Sequence, residues 1–175
     1  MSLATMAAAV LHTRLHRFFP AIVGSALALT VEAASAEEIT TCRAPSGTTY
    51  VHYAGATDKK RAGWRGDRNP GDVVRLVQNA DLSFDILYTD PLGKPTSSVQ
   101  DAAVVRLLRK SADTLTLLVH HPDFTTEIYS FFREKDGHSR FTLLQSMTGP
   151  PHINPKSSVL LGACDPIRFE RVRGS

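Results

Sequence analysis

The sequence predicts an all-β protein, an antiparallel meander closing as a small barrel or sandwich of about seven to nine strands. Three observations predict it. Apolar residues recur with a period of two, as in Leu82, Phe84, Ile86 and Tyr88, which would share one face of a pleated strand. The runs are short and separated by turn residues such as Asn79-Ala80-Asp81, Asp90-Pro91-Leu92-Gly93 and Gly149-Pro150-Pro151. No helical segments alternate with the strands, so a βαβ rhythm is absent. With 175 residues, 42% apolar and 21% charged, the chain suits one domain with a core and excludes disorder throughout. A net charge of +3 without a basic tail gives nucleic-acid binding no support.

The elements follow in order. Residues 1–36 read as a signal peptide. Arg14 and Arg17 form the positive region, Phe18 to Val31 the apolar run, and Ala34-Ser35-Ala36 the small-residue cleavage site before Glu37. The apolar run is too short to cross a hydrocarbon core of about 30 Å comfortably, so no stable membrane span is expected after processing. Residues 37–175 then form a single β domain, periplasmic or secreted. In an oxidising compartment the two cysteines, Cys42 and Cys164, are expected to pair and make the first and last strands neighbours.

Thr48 to Ala54 and Asp72 to Asn79 read as strands, with Asp58 to Gly71 between them as a long polar surface loop. In Asp81 to Thr89, Asp81 and Asp85 are expected on the solvent face. Residues 98–110 fit either a helix capped by Ser98 or a strand, and the tandem Val104-Val105 favours the strand. Thr114 to His121 places Leu115, Leu117 and Val119 on one face. Thr125 to Arg133 and Ser139 to Met147 flank Asp136-Gly137, a strong hairpin turn. A two-residue loop would set Phe132 opposite Phe141 but also Arg133 opposite Arg140. A three-residue loop would relieve that like-charge pair. Val159 to Ala163 and Ile167 to Arg171 complete the strands.

Few residues suggest chemistry. His120, His121, Asp123 and Glu127 carry metal-ligand atom types, with His152 a further candidate. Adjacent strand residues point to opposite faces, so His120 and His121 cannot easily share one ion. No nucleophile elbow, phosphate loop or dinucleotide fingerprint occurs. The densest cationic patch, Lys59, Lys60, Arg61, Trp64, Arg65 and Arg68, is a candidate binding surface for an anionic sugar, lipid head group or protein.

Cys42-Arg43-Ala44-Pro45 before TTYVHY, then FDILYTD, and TTEIYSFF with its Asp-Gly hairpin resemble small exported proteins of soil-dwelling alphaproteobacteria. The resemblance spans most of the expected mature chain and implies location alone. In size and single bridge the chain is also similar to periplasmic lysozyme inhibitors, whose Ser-rich loop pattern is not visible here. The sequence therefore points to an exported, non-enzymatic β-domain that binds an envelope component or a protein partner, without cofactor, metal or nucleic acid. The rival is a small periplasmic hydrolase or metal-dependent enzyme using His120 or His121, Asp123 and Glu127.

Overall fold

Alternation along the apolar runs makes strands with one inward and one outward face. The computed structural model describes residues 36–68, 71–89, 92–150 and 154–174. The expected signal peptide, apart from Ala36, lies outside the described residues, as does His152. The strands are β1 (Glu37–Val51), β2 (Gly63–Arg68), β3 (Val73–Gln78), β4 (Phe84–Thr89), β5 (Pro95–Ser97), β6 (Val104–Lys110), β7 (Thr114–His120), β8 (Thr125–Arg133), β9 (Ser139–Met147) and β10 (Lys156–Cys164). They form one antiparallel sheet in the order β5-β4-β3-β1-β10-β9-β8-β7-β6, with β2 added to β1. The sheet curls into a half-barrel, bringing β4 near one edge back against β6 at the other.

The order is two meanders joined by β1, because β1 changes partners along its length. Glu37 to Arg43 pair with β3, whereas Ser46 to Val51 pair with β2. Its other edge pairs with β10 from Cys42 to Val51. The change of partner falls at Ala44-Pro45, where Ala44 has φ 51° and the ladder to β10 shifts register. Proline has no N–H to give a ladder, which makes this a natural place for the strand to bend. Cys42 and Cys164 are partners in that ladder and form the expected disulfide, which joins the first and last strands side by side.

The core lies on the concave face. Leu115, Leu117 and Val119 of β7 meet Tyr129 and Phe131 of β8, Phe141 and Leu143 of β9, and Leu76 and Ile86 of β3 and β4. The rings of Tyr129, Phe131 and Phe141 stack with centroids 5.9–6.4 Å apart. One end is closed by the chain's own tail, whose Ile167, Phe169 and Val172 are buried. Buried Gln78 clamps that tail: its amide donates to the Arg173 carbonyl (2.8 Å) and its oxygen accepts from the Arg173 N–H (2.9 Å). The Thr40 hydroxyl donates to the Asp165 carbonyl, and Arg133 donates to that of Ile167.

Several expectations are corrected. Ile167 to Arg171 is not a strand; Phe169–Arg171 is a single 3-10 turn inside the plug. The loop expected over residues 58–71 contains β2, because the far half of β1 offers it an open edge. Asp85 is buried, not solvated: it accepts hydrogen bonds from the Ser97 hydroxyl and the Val99 N–H. Leu82 sits in the turn before β4 with φ 70° rather than on the strand's inner face. The β8–β9 hairpin takes the three-residue loop, so Phe131, not Phe132, faces Phe141. Arg140 thereby faces Phe132 and pairs with Glu134 at 3.0 Å. Residues 104–110 form a strand, as the tandem valines favour.

Candidate functional site

The end of the half-barrel opposite the plug is open. Its rim comes from the β1 bend, the turn before β3, the end of β4, the β7–β8 turn, the end of β9 and the start of β10. Together they enclose a cavity of ≈ 440 Å³. Pro45, Val74, Leu143 and Leu160 supply apolar wall, and Tyr88, His121, Thr125, Glu127, Tyr129 and Gln145 supply polar groups.

Strand parity puts the polar groups there. Thr125, Glu127, Tyr129 and Phe131 occupy alternate positions of β8 and all are buried, so the run that builds the core at one end delivers Glu127 and Thr125 to the cavity at the other. A buried carboxylate is costly unless hydrogen-bonded, and Glu127 has three donors. His121 Nε2 lies 3.2 Å and the Tyr129 hydroxyl 3.0 Å from Oε2, while the Gln145 amide donates to Oε1 at 2.7 Å. The bond to Glu127 raises the His121 pKa above its ordinary value; burial opposes this, and Asp123 and Asp101 add to it. Burial, with Glu127 beside it, pushes the Tyr129 phenol well above its usual range, so it stays a donor. Burial and the hydrogen bond to Asp101 likewise raise Tyr88. Asp72 is raised by burial and by the neighbouring charge of Asp67. The Thr125 hydroxyl is buried and has no hydrogen-bond partner among the described residues.

Of the residues singled out in the sequence, His121, Asp123 and Glu127 come together here. His120 points the other way and contacts the Thr126 hydroxyl at 3.1 Å. The patch at Lys59 to Arg68 lies elsewhere on the surface. Lys59, Lys60 and Arg61 sit in the loop before β2, where Arg61 pairs with Asp58 at 3.2 Å. Trp64 is 69% exposed, edge-on to Tyr50. Alternation along β2 puts Trp64 and Arg68 on one face and Arg65 on the other, with Asp67. Thr125, Tyr129, Gln145, Tyr88 and Asp72 were not found from sequence. A glutamate at an inward position of an apolar strand was the available clue, because such a residue needs donors nearby.

Chemically, the Glu127 cluster is a braced acceptor. Both its oxygens are occupied, and His121 is hydrogen-bonded to it rather than to a hydroxyl. Among the described residues, no three His, Cys, Asp or Glu side chains gather closely enough to hold one metal ion. A second hollow of ≈ 720 Å³ at the plugged end is more open. Its cations are engaged with the tail: Lys110 donates to the Val172 carbonyl, and Arg133 lies over the Phe169 ring at 5.5 Å. Compared with protein-family models, curated proteins and solved structures, the chain matches none.

Proposed function

We propose that the protein is an exported, non-enzymatic binding domain that takes a small envelope-derived ligand into the open mouth of the half-barrel. The observation that carries this reading is the cavity. Its volume falls within the ordinary range for small-molecule sites, about 300–1,000 Å³, and it combines apolar wall with a few fixed polar groups. The disulfide supports an oxidising compartment. β1 begins at Glu37, the residue expected to follow signal cleavage. No helix among the described residues is long and apolar enough to cross a membrane.

Native mass spectrometry of protein incubated with envelope extract tests the reading. The wild type should carry an added small-molecule mass, and Leu143→Trp, which fills the cavity, should lose it. No added mass, with amide resonances of residues 125–129 unmoved by extract, overturns the proposal. Retention of envelope material that depends on Trp64 instead moves the site to the exposed aromatic face. Stoichiometric zinc favours the hydrolase built on His121, Asp123 and Glu127.

A further inference from the structure

The geometry points to a second copy of this chain as the partner of β2, paired edge to edge about a two-fold axis at Gly66. Among the described residues the sheet ends at β5 and β6, and β2 has a strand neighbour only in β1. Two of these edges are blunted. β5 has three residues and begins at Pro95, which has no N–H to offer. β6 carries a bulge, and its charged residues, Arg106, Arg109 and Lys110, are all basic. Both are usual defences of an edge against a second chain. β2 holds one register against β1 without a shift and contains no proline. Its other edge makes no backbone hydrogen bond among the described residues. Trp64, Arg65 and Gly66 are exposed in succession, so both faces of the strand are open there. A Cβ at Gly66 would meet nothing within 4 Å.

Charge complementarity names the occupant. Antiparallel pairing with a copy about Gly66 sets Arg65 opposite Asp67 and Trp64 opposite Arg68, each twice by symmetry. Opposite residues of such a ladder share a face. Alternation along β2 already puts Arg65 with Asp67 on one face and Trp64 with Arg68 on the other. The single chain leaves these groups uncompensated. Among the described residues, Arg65, Asp67 and Arg68 have no ion pair. Asp67 accepts from the Thr49 hydroxyl at 2.6 Å, and Trp64 is 69% exposed. The pairing gives Arg65 an acid and sets the Arg68 guanidinium beside the Trp64 ring. Centring one residue earlier or later would oppose Arg65 to Arg65 or Asp67 to Asp67. The pairing uses the same edge in both copies, so assembly closes at two. About five residues a side bury less than a standard interface of about 1,600 Å², so the dimer is weak and forms at micromolar to millimolar concentration. Asp67 also lines the mouth cavity, so Arg65 of the second copy stands at its rim.

The test is sedimentation equilibrium of the exported, disulfide-bonded protein from about 10 µM to about 1 mM. Trp64 is the only tryptophan in the chain, so its emission reports on the same edge. The wild type should pass from monomer to dimer, with the emission changing over the same concentrations. Arg65→Glu sets an acid opposite Asp67 at two places and should raise the dissociation constant about tenfold or more. Asp67→Lys should do the same by opposing two bases. Mixing the two variants brings opposite charges together at both places, so a mixed dimer should return. Circular dichroism checks that each variant folds. Where Asp67→Lys does not fold, because Thr49 loses its acceptor, sedimentation and Trp64 emission of Arg65→Glu decide. A wild type still monomeric at about 1 mM overturns the inference. So does a dimer that Arg65→Glu leaves intact, or growth beyond two copies. Emission moved by polyglutamate in a protein that stays monomeric assigns the edge to an acidic chain and overturns it as well. None of these outcomes bears on the cavity reading, whose test is a bound small-molecule mass.

Discussion

Glu127 is the single residue that most constrains the open end, because three side chains are aimed by it. The first prediction concerns its partner His121. The folded-state pKa of His121 lies above its ordinary value of 6.5, with the Glu127 hydrogen bond the leading cause. A raised histidine pKa means that the folded state holds the proton more tightly. Stability from the pair is therefore fully present below about pH 6.5 and is lost as pH rises through the folded value. Proton NMR of the imidazole should give a midpoint above 6.5. Glu127→Gln removes the charge but leaves the burial that lowers the value, so its midpoint should fall; an unchanged midpoint refutes the assignment. A second prediction separates neighbours on β8. Phe131 is fully buried against Phe141 and Tyr129, whereas Phe132 faces the other side. Phe131→Ala should cost about 3–5 kcal/mol in denaturant titration, and Phe132→Ala clearly less. Sequence parity could not choose between the two phenylalanines, since a one-residue change in loop length moves the other ring inward.

Individual strands were largely legible because the period-two pattern is local. β7, β8 and β9 run where their alternation places them. The three-residue loop wins because it removes the Arg133–Arg140 opposition and seats Gly137 at φ 88°, a conformation that glycine adopts freely. Gly137→Val should therefore destabilise by about 1–2 kcal/mol through the backbone alone. β2 was hidden because its residues, Gly63 to Arg68, have a loop-like composition and pair only where β1 leaves an edge open. Another glycine acts by close approach. Gly162 of β10 lies opposite Phe141, and a Cβ there would fall 2.3 Å from the ring and 2.9 Å from the Arg43 carbonyl. Gly162→Ala should cost about 1–3 kcal/mol, read as a lower denaturation midpoint with the fold retained. An unchanged midpoint would mean that β10 and β9 do not pack this closely.

For the whole molecule, two devices hold the curled sheet: the Cys42–Cys164 bond and the tail plug. The bond closes a separation of 122 residues, so converting both cysteines to serine should cost about 4–5 kcal/mol by loop entropy. Midpoints measured without reductant check this, and a loss below 1 kcal/mol would deny the bond a stabilising role. Deleting residues 166–175 strips away buried Ile167, Phe169 and Val172, each worth about 1.5–3 kcal/mol, and leaves Gln78 without its Arg173 partners. That loss approaches the total stability of an ordinary domain, about 5–15 kcal/mol, so the truncated chain should lose its cooperative transition in circular dichroism. The sequence by itself determined the all-β class, most strand positions, the β8–β9 turn and the cysteine pairing. Each depends on residue type or on a period that spans a few positions. Tertiary structure alone decided that β1 divides its second edge between β3 and β2, that the tail is a plug, and that Asp67, Asp72, Asp123 and Glu127 line one cavity. Alternation states which side of a strand faces inward but not which strand lies next to it. Those four carboxylates, spread along the chain from β2 to β8, meet only once the sheet has curled.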